Sequence, residues 1–254
     1  MTSQTLSHRI HTTRPGFGTT ILVETRKLTD TRVARILALV AVALTLLFAV
    51  GGALTSAQSL SAVAALAVGP GGTLLSVQAI LATTSEYANR SVMCTHLLEP
   101  DRVRVLVARA LALVAVTLAV YVVAYLAAVP VHFVGAMSKG VAPDWSVNNH
   151  LLGGAVLVGV LYVLEAYALS LLLLNGPAAI VITLVQPMVF SMIRTALPEY
   201  AAALSWVDPT TPSSMMRQGV YTLTEWAMTA VGAVIWLVVP AVIGTARVLR
   251  KEVA

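Results

Sequence analysis

Residues 36–54 read ILALVAVALTLLFAVGGAL, nineteen positions without a charge, and Arg32 and Arg35 stand just before them. A helix needs about 20 apolar residues to cross the hydrocarbon core of a bilayer. The run therefore has the length of one crossing. Working outward, five more stretches share its character, at about residues 60–83, 105–129, 151–174, 178–197 and 226–246. These six runs predict an all-α integral membrane protein with six transmembrane helices.

Composition supports that class. Of 254 residues, 58% are hydrophobic and 11% are charged, against about 25% charged in a typical soluble domain. The formal net charge is +5, but the basic residues flank the apolar runs, as a membrane surface requires. No basic patch interleaved with aromatics is present, so nucleic acid is not an expected partner. The lone Cys94 excludes an internal disulfide and has no neighbours for a zinc site. Residues 1–20 contain no apolar core, so no signal peptide is expected. Residues 1–16 read as a flexible tail and residues 17–254 as one transmembrane domain.

Lys and Arg orient the spans, because cytoplasmic loops carry the excess. With the N-terminus inside, thirteen of the 16 basic residues are cytoplasmic; Lys139, Arg194 and Arg217 are outside. An even span count returns both basic ends to the same side. The heavy use of Ala, Val and Arg points to a GC-rich bacterial genome. The expectation is a bacterial plasma (inner) membrane with both termini cytoplasmic.

Three segments outside the spans have character of their own. Phe17 to Arg35 reads as an amphipathic helix after Pro15-Gly16, with Phe17, Ile21 and Leu28 on one face and Glu24, Lys27 and Arg35 on others. Such a helix lies in the headgroup plane. Ser85 to Leu98 can form a short cytoplasmic helix, stopped by Pro100. Glu86 and Arg90 are spaced to pair on it. Residues 198–225 are partly apolar yet too short for two more crossings. They read as an outer segment that dips into the membrane, punctuated by Pro198, Pro209 and Pro212.

Inside the spans, Glu165 is the residue with chemistry. An acid at the bilayer centre costs roughly 2.5–3.5 kcal/mol on insertion scales, so Glu165 is expected to face a partner helix or a polar cavity. A substrate contact, a proton relay and a packing role all fit it. Gly69-Pro70-Gly71-Gly72 in span two and Gln186-Pro187 in span five are expected to kink their helices, and the glycines to allow close helix contact. His8, His11, His96, His132 and His150 show no metal spacing. His132 and His150, with Asp144 between them, read as solvated. No nucleophile–base pairing is visible, so the chain is not expected to be an enzyme.

This layout resembles the permease subunit of type-2 ABC exporters, with an ABCG-like fold. The resemblance covers about residues 17–251. Its most specific part is Glu86 through Ala110, where Glu86, Leu97-Leu98, Pro100, Arg102, Arg104 and Ala108-Arg109 stand in the places of the family's coupling-helix pattern. Asn89-Arg90-Ser91 replaces the usual Gly-Thr, and Arg109 replaces a lysine while keeping its charge.

The resemblance implies an N-terminal interfacial helix carrying Phe17, Ile21, Glu24 and Lys27. It implies a cytoplasmic coupling helix whose ATPase contacts involve Glu86, Tyr87, Arg90, Leu97, Leu98 and Arg102. It implies an extracellular re-entrant segment whose Tyr200, Leu204 and Trp206 gate the exit. Spans two and five would line the pathway, with Gln186 and Phe190 beside Glu165. The chain has no Walker-type sequence, so ATP and Mg would be bound by a separate ATPase subunit, in two copies, with a second copy of this permease. The sparse charge of the outer half suits a hydrophobic or amphipathic substrate: a drug, an antibiotic, a peptide or a lipid. A proton-coupled transporter using Glu165, or a membrane scaffold or sensor, are the competing classes. No clear repeat relates residues 36–129 to 151–246, as many secondary transporters would show.

Overall fold

The structure, a computed structural model, describes residues 16–54, 59–88, 101–217, 219 and 221–250, leaving out the side chains of 211–213 and 217. The expected tail, Arg90, Leu97 and Leu98 lie outside the described residues, as does most of the expected coupling helix.

Ten α-helices are described. They are α1 (Phe17–Asp30), α2 (Arg32–Leu54), α3 (Leu60–Ala88), α4 (Arg102–Ser138), α5 (Asn149–Leu173), α6 (Gly176–Ala196), α7 (Ala201–Val207), α8 (Thr210–Arg217), α9 (Leu223–Ala233) and α10 (Val239–Arg250). A π turn at Val234–Val238 joins α9 to α10, so Leu223–Arg250 runs as one long helix. Among the described residues there is no strand, only an isolated bridge between Ser59 and Asp144. Six helices are long and apolar enough to cross a membrane: α2, α3, α4, α5, α6 and the α9–α10 unit. The chain is an all-α, multi-pass membrane protein.

Local chemistry sets where helices begin. The Asp101 carboxylate accepts from Arg104 N–H at 3.1 Å, Asn148 Oδ1 from His150 and Leu151 N–H at 3.1 Å, and Asn175 Oδ1 from Ala178 N–H at 3.1 Å. Each satisfies donors that a helix start leaves open. Thr222 and Glu225 form a reciprocal capping box on α9. Leu174 closes α5 in the left-handed region (φ 48°) and Asn175 at once caps α6. Two residues therefore reverse the chain between two spans.

The centre of the bundle is α3 against α5, with α2 and α4 packed alongside. Leu75, Ala79, Leu113, Val163, Tyr167 and Leu171 are buried between them. Where α2, α3 and α4 meet, the contact is made by Ala49, Ala53, Ala64, Ala67 and Ala128, small residues that let helix backbones approach closely. The outer faces are the reverse of a soluble surface. Leu39 is 70% exposed, Met188 71% and Val242 63%. Faces of this kind are at home against lipid or another helix, not water.

The spans extend past the apolar runs. Span two continues to Ala88 and span three from Arg102 to Ser138. Phe17–Arg35 is not one helix: α1 ends at Asp30 and α2 begins at Arg32. The Arg35 side chain donates to the Asp30 carbonyl at 2.9 Å and so closes the last turn of α1. His132 is buried, not solvated. It sits on α4 at 2% exposure beneath the Trp145 indole, ring centroids 5.5 Å apart. Asp144 accepts from Ser146 N–H at 2.9 Å, which holds its carboxyl below the usual carboxylate range.

The expected close approach at the glycines is present. Tyr121 of α4 points between α3 and α5, and a Cβ on Gly72 would lie 2.8 Å from its hydroxyl. A Cβ on Gly159 would collide with the same ring. Gly159→Ala is expected to destabilise the fold by about 1–3 kcal/mol, the usual cost of overpacking. In a Tyr121→Ala background, itself destabilised by the cavity it leaves, adding Gly159→Ala should cost little further. Thermal unfolding in detergent measures both, and a Gly159→Ala protein as stable as the parent contradicts this packing.

Candidate functional site

At the end of the bundle where α3 finishes and α4 begins, four charged side chains close a ring. Arg109 Nε lies 2.7 Å from Glu24 Oε2, and Arg109 Nη2 lies 2.5 Å from Glu86 Oε2. Lys27 Nζ lies 2.7 Å from Glu24 Oε1 and 3.2 Å from Glu86 Oε1. Each carboxylate thus gives one oxygen to each cation. The Glu24 and Arg109 side chains are only 3% and 4% exposed. Ions taken from water cost several kcal/mol each unless geometry and further bonds offset it. Here all four find opposite charges, and the ring is neutral as a whole.

The ring fastens α1 to the spans. Glu24 and Lys27 are on α1, Glu86 is in the last turn of α3 and Arg109 is in the second turn of α4. The helical spacing explains the buried face. Thr20, Glu24 and Leu28 recur every four residues and all are buried. This corrects the expectation that Glu24 lies off the packed face; Arg109 supplies the charge that lets it turn inward. Gln78 Nε2 donates to the Leu28 carbonyl at 2.6 Å, satisfying an orphan acceptor at the end of α1. Phe17, 39% exposed, packs under the Arg104 guanidinium, 5.7 Å from the ring centroid. Ile21 is half-buried.

Glu86 and Tyr87 also move from their expected place. They belong to the last turn of α3, not to the opening of a separate helix. Glu86 binds Lys27 and Arg109. Arg102 opens α4 and donates to the Val248 carbonyl at 3.2 Å, tying the end of α10 to the same corner. Arg247 donates to the Leu172 carbonyl.

A second feature lies deeper. A cavity of about 280 Å³ opens between α3, α4, α5, α6 and the α9–α10 unit. Its wall is mainly apolar, interrupted by Tyr121, Tyr162, Glu165 and Gln186. Pro187 helps to make it. Proline has no N–H, so the Thr183 carbonyl one turn back loses its helical donor. The Tyr162 hydroxyl takes that acceptor at 2.9 Å. On the facing side, the π turn re-aims the last span and carries Trp236 into the wall. Glu165 and Gln186, each 6% exposed, line the cavity. Phe190 stands outside it, edge-on to Trp236 at 6.0 Å.

The chain between α6 and α9 folds back onto this cavity. α7 and α8, of seven and eight residues, are too short to cross a bilayer. The Val207 carbonyl accepts from Trp236 Nε1 at 2.8 Å. Trp236 lies about 20 Å beyond Leu223 along the helix, at 1.5 Å per residue. The segment therefore reaches well into the bundle. Tyr200 and Trp206 are exposed and Leu204 is half-buried, and none lines the cavity. Pro209 and Thr210 do. Buried Asp208 holds them, accepting from Thr210 N–H at 2.8 Å and pairing with Arg194 at 3.2 Å. Sequence reasoning missed Tyr121, Trp236 and Asp208. A bulky tyrosine opposite glycines and an acid beside a proline were the available signals.

No family model matches the chain, and no curated protein matches it. Among the described residues, no group of three or more His, Cys, Asp and Glu is placed to hold a metal ion.

Arg109→Gln leaves two carboxylates at the ring with Lys27 as their shared cation. Removing one partner of a buried pair costs about 3–5 kcal/mol, and a loss of that order in thermal stability is expected. Arg109→Lys keeps the charge but not the fork that serves two carboxylates, and should fall between. Glu24→Gln combined with Arg109→Gln should cost less than the sum of the single changes. Additive losses would show that the ring is not a unit.

Proposed function

We propose that this chain is the membrane subunit of an ATP-driven exporter of the type-2 ABC kind. The observation that carries the reading is the ion ring. It joins α1, the end of α3 and the start of α4 into one body, and α3 and α4 flank residues 89–100 on either side. A separate ATPase that pushes on those residues would move an interfacial helix and two spans together. In this reading α1 is the interfacial helix, residues 89–100 carry the coupling contact, and the segment from Pro198 to Arg217 is re-entrant and gates the outer exit.

Charge placement supports the orientation. Arg26, Lys27, Arg32, Arg35, Arg102, Arg104, Arg109, Arg247 and Arg250 gather at one end of the bundle, and Lys139, Arg194 and Arg217 near the other. The positive-inside rule makes the first end cytoplasmic, in a bacterial plasma membrane. The exposed apolar faces of α2, α6 and the last span suit a lipid boundary and a second copy of the chain.

A proton-coupled transporter is the second reading, favoured by Glu165 on a cavity whose described lining contains no Lys, Arg or His. The test is to co-express the chain with a candidate ABC ATPase from the same genome and purify through a tag on this chain alone. Recovery of both subunits in equal amounts is expected, with ATP hydrolysis in lipid that depends on this chain. Lys27→Ala, at the most exposed corner of the ring, should lower that stimulation severalfold while the subunits still co-purify. Absence of any ATPase, with proton-driven flux abolished by Glu165→Gln, establishes the second reading instead.

A further inference from the structure

Three buried side chains bring polar groups to the lining of the cavity: Glu165, with the Gln186 amide beside its carboxyl, and Tyr121, whose hydroxyl has no protein partner. A buried polar atom without a partner costs about 1–3 kcal/mol, and native interiors keep few of them. An acid, an amide and a phenol that converge on one cavity from α4, α5 and α6 are polar groups that a guest can meet. Apolar walls with a few convergent polar groups are the ordinary make-up of a small-molecule site.

The chemistry of the wall selects the guest. Glu165 is the acid among the lining residues, and the described lining offers no Lys, Arg or His to balance it. Asp208 lies behind Thr210 and already has Arg194 at 3.2 Å. An anionic guest would meet Glu165 with no cation on the wall. A purely apolar guest would give the Glu165 carboxyl no counter-charge and the Tyr121 hydroxyl no partner. A cation with an apolar body meets both demands: its charge sits against Glu165, and its body lies on the apolar wall and the Trp236 and Tyr162 rings, whose faces attract cations.

We propose that this cavity binds a monovalent amphipathic organic cation, with Glu165 as its counter-ion and Gln186 and Tyr121 as secondary polar contacts. The inference rests on reading the cavity as part of a transport path, and it is independent of what drives transport.

The probe is benzyltriethylammonium, a fixed cation on one aromatic ring. Binding is measured by calorimetry on the full chain in phosphatidylcholine nanodiscs, against empty discs. Benzyltriethylsilane, uncharged and of the same shape, and benzenesulfonate are the comparisons. The cation is expected to bind saturably. The silane and the sulfonate should bind at least about tenfold more weakly, as befits loss of a charge-assisted contact. Glu165→Gln should weaken the cation by about ten- to a hundredfold, and Glu165→Asp by less. Equal binding of cation and silane to the unaltered chain overturns the proposal without recourse to any variant. So does a Glu165→Gln protein of unchanged affinity, or a chain that binds none of the probes. Cation binding without ATPase recovery removes the exporter reading and leaves this one. ATPase recovery without cation binding does the reverse.

Discussion

Two carboxylates and two cations sharing one small volume set the geometry of this protein's basic end. Glu24 and Glu86 each bridge Lys27 and Arg109. Buried Glu24 and Arg109 are poorly placed without each other, because an unpaired charge at their depth is costly, while Lys27 closes the ring from its exposed side. The ring therefore fixes where α1 lies against α3 and α4. Gln78 on the Leu28 carbonyl and Arg102 on the Val248 carbonyl extend the same corner to the end of α1 and the end of the chain's last span. A short helix outside the bundle becomes a rigid part of it.

The middle of the bundle obeys a different constraint. Small residues hold it. The alanines of α2, α3 and α4 pack backbone against backbone, and Gly72 and Gly159 leave the slot that Tyr121 fills. On the opposite flank the packing opens. Pro187 gives up one helical hydrogen bond, the π turn shifts the register of the last span, and the chain from Val207 to Thr210 covers what is left. A mainly apolar cavity with a few polar groups results from these three departures from regular helix. That is how a membrane helix bundle tolerates irregular backbone: the freed groups are met by protein, as Tyr162 meets the Thr183 carbonyl.

The two features occupy different depths yet share helices. α3 carries Glu86 in its last turn and Gly72 on the cavity wall, and α4 carries Arg109 and Tyr121 three turns apart. A helix is stiff over that length. In the proposed mechanism, a displacement at the ion ring would reach the cavity wall through the two elements that contribute to both. This shared framework ties the proposed coupling to the proposed binding site.

The amino-acid sequence by itself determined the class and the plan: six crossings, a preceding helix of different character, an interrupted segment before the last span, and basic residues gathered toward one end. Those readings need only local composition and length, because the bilayer imposes both. Glu165 was also legible, since any acid inside a span demands an explanation. What neighbours a residue was decided by tertiary structure alone. Glu24 could be placed on a helix face from spacing, but its inward turn depends on Arg109, 85 positions away. His132 looked solvated beside a polar loop and is buried because Trp145 covers it. The Glu86 carboxylate is held by a lysine 59 residues earlier and an arginine 23 later, partners that spacing along one helix does not reveal. Pairing of charges is a matter of distance in space, and a chain that crosses a membrane repeatedly brings together ends that its sequence keeps far apart.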